Sequence, residues 1–289
     1  MNHSCRIQKF ISGLIFFLLV SIPFFQVPDI LAKESSYRIL ITNDDGIDSE
    51  GIEALVREFK RSTDVVVAAP VKNMSGSSHS TTIKKGITQV TPYFKNGKLF
   101  GYGVDGTPAD ATRFGILELG KKNKFDLVIS GINKGPNVGS VSHISGTVGA
   151  AMEALSYGIP AIAVSQSHEA DYKASARYTA KIVAQLRKHG IPPGVLLSIN
   201  VPSGKIKGAV SARMGSPMLK FTEFKKVTNT SKDVLRYRPI VTRIQVEEEE
   251  TDTSFFQDNY ITITPLKFDW TDYKALSDLS KWTLWDGKK

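Results

Sequence analysis

The chain has 289 residues, 41% of them hydrophobic and 22% charged, which is enough apolar material to bury a substantial core and excludes disorder as the main state. Its net charge of +9 favours anionic partners. The densest basic stretch, Lys220 to Arg243, is soon followed by Glu247-Glu248-Glu249-Glu250, a pairing of opposed solvated faces that argues against a nucleic-acid polymer as partner.

At the N-terminus, Arg6 and Lys9 precede an apolar run from Phe10 to Phe25, and Ile30-Leu31-Ala32 offers a small residue at a cleavage point, the layout of an export signal. The run is short for a membrane span of about 20 residues, and prolines follow it rather than a basic stop-transfer cluster. An uncleaved N-terminal anchor is the alternative. Cleavage after Ala32 removes the single cysteine, Cys5, so the mature chain needs neither disulfides nor a reducing compartment. It also removes Arg6, Lys9 and Asp29, lowering the net charge to +8. The expectation is a signal peptide over residues 1–32 and one exported, periplasmic domain over 33–289, without stable membrane insertion. Within that domain a core spans about 37–213 and a C-terminal extension about 214–289.

From Arg38 to about Pro202, short apolar runs alternate with amphipathic segments. Strands are predicted at Arg38–Thr42, Val65–Ala69, Leu127–Ser130, Ala161–Ser165 and Leu196–Val201. Each is nearly all apolar without period-2 alternation, the mark of strands covered on both faces in a parallel sheet. Helices are predicted at Ser49–Arg61, Pro108–Leu119, Thr147–Tyr157 and Ala174–His189, with Ser49 as the cap of the first. The order gives an α/β fold with a doubly wound, mostly parallel sheet. Asn96-Gly97, between two β-rich stretches of Thr81 to Val104, predicts an antiparallel hairpin insert or edge. Beyond Pro202 come Gly- and Lys-rich connections, a mixed segment to Glu250, the strand-like "NYITITPL" and a Trp-bearing terminal helix, read as an extension packed on the core or on a second subunit.

Every polar motif falls at the carboxyl end of a predicted strand, where doubly wound sheets collect ligands. The first strand ends in Asn43, Asp44, Asp45 and Gly46. Two carboxylates so close raise each other's pKa unless a cation neutralises them, and a hard divalent ion takes oxygen ligands. The second strand runs into "KNMSGSSHS", whose hydroxyls and amides can face a phosphate or a metal-bound water. His79 in that loop is either a proton carrier or a solvent-facing side chain. "DLVIS" leads to "GINKGPNVGSVSHISGTVGAAMEAL", where Asn133 and Asn137 supply neutral oxygens and Lys134 and His143 are each either cationic wall or solvated loop. Ser145-Gly146-Thr147 then opens an Ala-rich helix whose unpaired amides can hold an anion. No Gly-Lys-Ser/Thr follows, and "GVDGTPAD" is no dinucleotide fingerprint, so a Walker loop and NAD-linked hydride transfer are disfavoured.

The segments "ILITNDDGIDSEGIEAL", "VVVAAPVKNMSGSSHSTT", "GTPADATRFGI", "DLVISGINKGPNVGSVSHISGTVGAAMEA", "GIPAIAVS", "LLSINVP" and "TDTSFFQDNYITITPL" together resemble the SurE survival-protein family of metal-dependent nucleotidases, covering most of Arg38 to Leu266 in the family's order. The resemblance implies a Rossmann-like core and a homodimer or homotetramer built through C-terminal elements. It also implies hydrolysis of nucleoside 5′- or 3′-monophosphates, with short polyphosphate as a further substrate. By the same resemblance Asp44, Asp45, Ser75 and Asn133 hold one Mg²⁺ or Mn²⁺ per subunit, Asp44 and Asp45 are catalytic, and Asn43, Gly76, Asn137, Ser145, Gly146 and Thr147 bind substrate phosphate. Members are mostly cytoplasmic, and Met214 to Glu250 matches the pattern only loosely. An exported protein that captures nucleotide or phosphate without turnover is the competing class, and a covalent aspartyl-phosphate is the competing mechanism.

Overall fold

A computed structural model describes residues 37–231 and 234–284. The expected signal peptide over residues 1–32 lies outside the described residues.

The first predicted strand is β1 (Arg38–Thr42), whose alternate residues serve opposite faces of the sheet. Ile39 and Ile41 join one buried cluster and Leu40 the other. β1 pairs in parallel with β2 (Asp64–Pro70) on one side and β5 (Leu127–Lys134) on the other. β6 (Ala161–Gln166) and β7 (Val195–Val201) continue the parallel run beyond β5. Strand order therefore departs in opposite directions from the β1–β5 boundary, and the crevice of a doubly wound sheet opens there.

The helices cover both faces, as the continuous apolar strands require. α1 (Glu50–Phe59) and α4 (Tyr172–His189) pack Ile52, Leu55, Val183 and Leu186 onto the Ile39 face. α2 (Pro108–Phe114) and α3 (Gly146–Ser156) bring Phe114, Val148, Ala151 and Met152 to the Leu40 face. α1 lies so close to β5 that a Cβ on Gly51 would sit 2.0 Å from the Ile132 carbonyl oxygen, which excludes any other residue without moving the helix.

The Asn96-Gly97 hairpin forms as expected: β3 (Val90–Lys95) and β4 (Lys98–Val104) are antiparallel, and β4 docks in parallel on β2 at the sheet edge. Residues 81–89 before it hold only a 3₁₀ turn at Ile83–Lys85, so the hairpin is shorter than its β-rich composition suggested. The predicted helix over Pro108–Leu119 is α2 continued by a π turn at Gly115–Leu119.

Past Pro202 the chain returns to the main sheet. β8 (Gly208–Ser211) is its last strand, and β11 (Tyr260–Lys267) lies between β7 and β8, antiparallel to the former and parallel to the latter. Between β8 and β11 stand a separate antiparallel ribbon, β9 (Leu219–Ser231) with β10 (Val234–Arg243), and the short α5 (Asp252–Gln257). The terminal helix α6 (Tyr273–Leu279) carries no tryptophan; Trp270 and Trp282 flank it, a correction to the expected Trp-bearing helix.

Candidate active site

Four segments meet at the crevice. Asn43 folds the β1 exit back on itself: its Nδ2 donates to the Gly46 carbonyl (2.8 Å) and to Ser49 Oγ (2.7 Å), and its Oδ1 accepts from Gly46 N–H (3.2 Å). Ser49 sits at the start of α1 but makes no capping bond, because its hydroxyl receives Asn43 instead. The turn leaves Asp44 buried and Asp45 half-buried.

Asp44 faces the start of α3. Its Oδ1 accepts from Thr147 Oγ1 at 2.5 Å, and its backbone carbonyl accepts from Met74 N–H, which docks the Ser-Gly loop on the strand end. Asp45 faces the other way: Oδ2 accepts from Lys134 N–H (3.0 Å) and Oδ1 from Asn73 Nδ2 (3.2 Å). Asn73 in turn accepts Ser75 N–H on its Oδ1 (2.9 Å), fixing the loop beside the carboxylates. Asn133 turns its Nδ2 to the Gly135 carbonyl (2.7 Å), and its Oδ1 makes no hydrogen bond among the described residues.

Burial pushes the Asp44 carboxyl up to about 6, opposed by the Thr147 bond and reinforced by the negative charge of Asp45. Asp45 is raised too, by burial first, against the Lys134 backbone bond and charge and the Asn73 bond. Two acids held together with too little positive charge to ionise both freely make a site short of a cation. The Asp44 and Asp45 carboxylates, the Ser75 hydroxyl and the Asn133 amide oxygen are all hard oxygen donors, so the set fits a divalent ion such as Mg²⁺ or Mn²⁺.

Of the residues expected at phosphate, Gly146 and Thr147 form the first turn of α3, beside Asp44. A Cβ on Gly146 would lie 2.7 Å from Ser77 Oγ and 2.8 Å from Asp44 Cβ, so only glycine lets the helix start reach the carboxylates. Ser145 caps α3, its Oγ accepting Val148 N–H at 3.2 Å, and the Thr147 hydroxyl holds Asp44. Gly76 lies exposed in the loop beside Ser75. Asn43 and Asn137 do not face the cradle with free amides. Asn137 is buried, donating its Nδ2 to Ser165 Oγ (2.8 Å) and its N–H to Asn200 Oδ1 (2.7 Å), and so shapes the loop from beneath.

Sequence reasoning missed the groups that support the site. Glu153, buried on α3, accepts from Arg113 Nε at 2.8 Å and pairs with His79 Nε2 at 2.6 Å. Arg113 also reaches Asp110 Oδ1 (2.9 Å), and Asp110 receives the Thr81 hydroxyl together with the hydroxyl and N–H of Thr82. The signal was a Glu in an Ala-rich helix and Thr107-Pro108-Ala109-Asp110, a capping box that the structure forms in full. Asp252, buried at the start of α5, accepts Gly139 N–H (3.0 Å) and Gly215 N–H (2.8 Å), tying the glycine-rich loop to the C-terminal third.

Residues 39–220 match the family described as Survival protein SurE. This chain belongs to the SurE family. It is 39% identical over 251 residues to 5′-nucleotidase SurE of Clostridium beijerinckii, covering 84% of this chain and 98% of that protein. The Campylobacter jejuni protein of the same name is 38% identical over 257 residues, covering 84% and 96%. The crystal structure of the SurE protein from Aquifex aeolicus superposes with a TM-score of 0.72 at 33% identity, over 84% of this chain and 98% of that one. The Rossmann-like architecture of the SurE fold is thus shared.

Proposed function

We propose that this chain is a metal-dependent phosphomonoesterase that hydrolyses nucleoside 5′- and 3′-monophosphates to nucleoside and phosphate. The observation that carries the reading is the pairing of Asp44 and Asp45 at the β1 tip against the amide end of α3, in a chain whose relatives bear the name 5′-nucleotidase. Asp44, Asp45, Ser75 and Asn133 would hold the divalent ion, which when bound supplies Lewis acidity toward a phosphate oxygen and the attacking water. The amides of Gly146 and Thr147 bind the remaining phosphate oxygens and stabilise the charge that develops on them. The Asp44 carboxyl, pushed up by burial, would receive the water proton. Asn73 and the Lys134 amide orient Asp45.

Finer parts of the reading rest on separate supports. Export rests on the basic and apolar N-terminal sequence ending at Ala32; among the described residues no helix is long and apolar enough to cross a membrane. A homodimer or homotetramer is supported by apolar side chains left exposed on the C-terminal elements, among them Phe221, Phe224, Leu235 and Tyr237 on the β9–β10 ribbon and Leu276 on α6. Short polyphosphate presents the same terminal phosphoryl group and enters as a second substrate class.

The deciding experiment is phosphate release from nucleoside 5′- and 3′-monophosphates with Mg²⁺ or Mn²⁺ and with chelator. Turnover that stops on chelation and returns with the metal supports the proposal. Nucleotide binding without phosphate release would instead make the chain a capture protein, and a phosphoryl group trapped on Asp44 or Asp45 would replace water attack with a covalent route.

A further inference from the structure

Asp252 opens α5, in the C-terminal third, and is 1% exposed. Its two oxygens serve two separate segments: Oδ2 accepts Gly139 N–H at 3.0 Å, and Oδ1 accepts Gly215 N–H at 2.8 Å. Only a carboxylate does both, because a side-chain amide offers one acceptor oxygen and would turn its own N–H groups on the other donor. Burying a full charge to hold two amides carries a desolvation cost that an ordinary loop contact does not demand. The joint is also tight. A Cβ on Gly139, whose φ is +61°, would lie 2.4 Å from the Ser216 carbonyl oxygen, and a Cβ on Gly215 would lie 2.6 Å from Thr251 Cβ.

What the joint grips is the segment from Asn133 to Ser145, which runs from the end of β5 to the cap of α3. Gly135 N–H donates to the Gln166 carbonyl (2.9 Å), and Asn137 is held by Asn200 and Ser165, so these two anchors belong to the parallel strands β6 and β7. Gly139 is held from outside those strands, by Asp252. Resting on the reading of Asn133 as a metal ligand, we infer that Asp252 is a positioning residue of the active site: by holding Gly139 it fixes the course of this segment and with it the place of the Asn133 oxygen. Asn133 has no independent hold on that place, since its Nδ2 bonds the Gly135 carbonyl (2.7 Å) and follows the segment. Groups that orient a metal ligand from behind are ordinarily worth about 10- to 100-fold in metal affinity.

The test is calorimetric Mn²⁺ binding to the full chain, at a temperature where circular dichroism shows each variant folded. Asp252→Ala weakens Mn²⁺ binding on the order of tenfold, and Asp252→Asn, which can keep one of the two amide bonds, falls between it and the parent. Phosphate release from adenosine 5′-monophosphate then needs correspondingly more Mn²⁺, while kcat at saturating Mn²⁺ returns close to that of the parent. Thr253→Val is the control: it removes the Thr253 hydroxyl bond to the Ser216 carbonyl (2.7 Å) in the same joint, and lowers the melting temperature without changing Mn²⁺ affinity. Parental Mn²⁺ affinity in Asp252→Ala, or in Asp252→Asn where the alanine variant does not fold, makes Asp252 a structural post only and overturns the inference; so does an equal loss in Thr253→Val. Mn²⁺ binding that depends on Asp252, with no phosphate released from any nucleotide, keeps the positioning role and removes the nucleotidase. Phosphate release with Mn²⁺ affinity indifferent to Asp252 does the reverse.

Discussion

At the residue scale, Asp44 sets a conflict between stability and chemistry. Burial pushes its carboxyl up to about 6 from an ordinary 3.8, so the folded state holds the proton more tightly than the unfolded chain. Stability of the metal-free protein therefore falls as pH rises from about 4 through about 6 and stays lower above that range, by on the order of 3 kcal/mol. Asp44→Asn removes that penalty: in chelator at pH 7.5 the variant should melt higher than the parent, whereas added Mn²⁺ should raise the melting temperature of the parent alone. Asp45→Asn should lose at least a thousandfold in kcat while its cooperative unfolding transition persists, since Asp45 is only half-buried and its neutral amide keeps acceptor and donor atoms. That both acids sit at the tip of β1 was legible in the sequence, because they follow directly on an apolar run that ends there. The true posts of Asn137 and Asn43 were not, because an amide's partner is set by geometry, and Asn137 answers to Asn200 and Ser165, dozens of residues away.

At the element scale, the Ser-Gly loop is clamped to two helices through Glu153. His79 and Arg113 converge on Glu153, and burial, which pushes that carboxyl up, is outweighed by the His79 bond and the Arg113 charge, so it stays below its ordinary range. Glu153→Ala should shift the urea midpoint with an unchanged slope, at about 2 kcal/mol, because both partners are partly exposed and regain water. Asp110 is held down to about 2: burial raises it, but the Thr81, Thr107 and Thr82 bonds overcome that. A depressed carboxylate contributes stability above its unfolded value, so this contribution is present above about pH 4 and fades as pH falls toward 2. Asp110→Asn should flatten that part of the acid unfolding profile. Most core strands and the helices α1, α3 and α4 were readable within one or two residues because their apolar runs are long and their periods clear, whereas β5 runs four residues past its expected end and α2 gives way to a π turn five residues before its own. The β9–β10 ribbon was not, since strands with little buried surface carry no burial pattern to read.

At the scale of the whole molecule, the β9–β10 ribbon and the C-terminal helix leave apolar side chains exposed, and a self-contact through them is the proposed assembly. Light scattering of the full chain should give a multiple of the 31.7 kDa monomer, less the signal if it is removed. Paired Phe221→Lys and Tyr237→Lys substitutions should reduce the mass without loss of the folded core, since both side chains lie at least half exposed.

The placement of β11 between β7 and β8 also bears on biogenesis. Because β7 finds its outer neighbour only in residues 260–267, a nascent chain that has emerged only through β7 presents a bare, Leu- and Ile-rich edge with nothing to seal it. Sealing waits for residues 260–267 to be synthesised, so until then that edge is open to pairing with other chains. Stop codons placed before Tyr260 should yield aggregates rather than a smaller working enzyme.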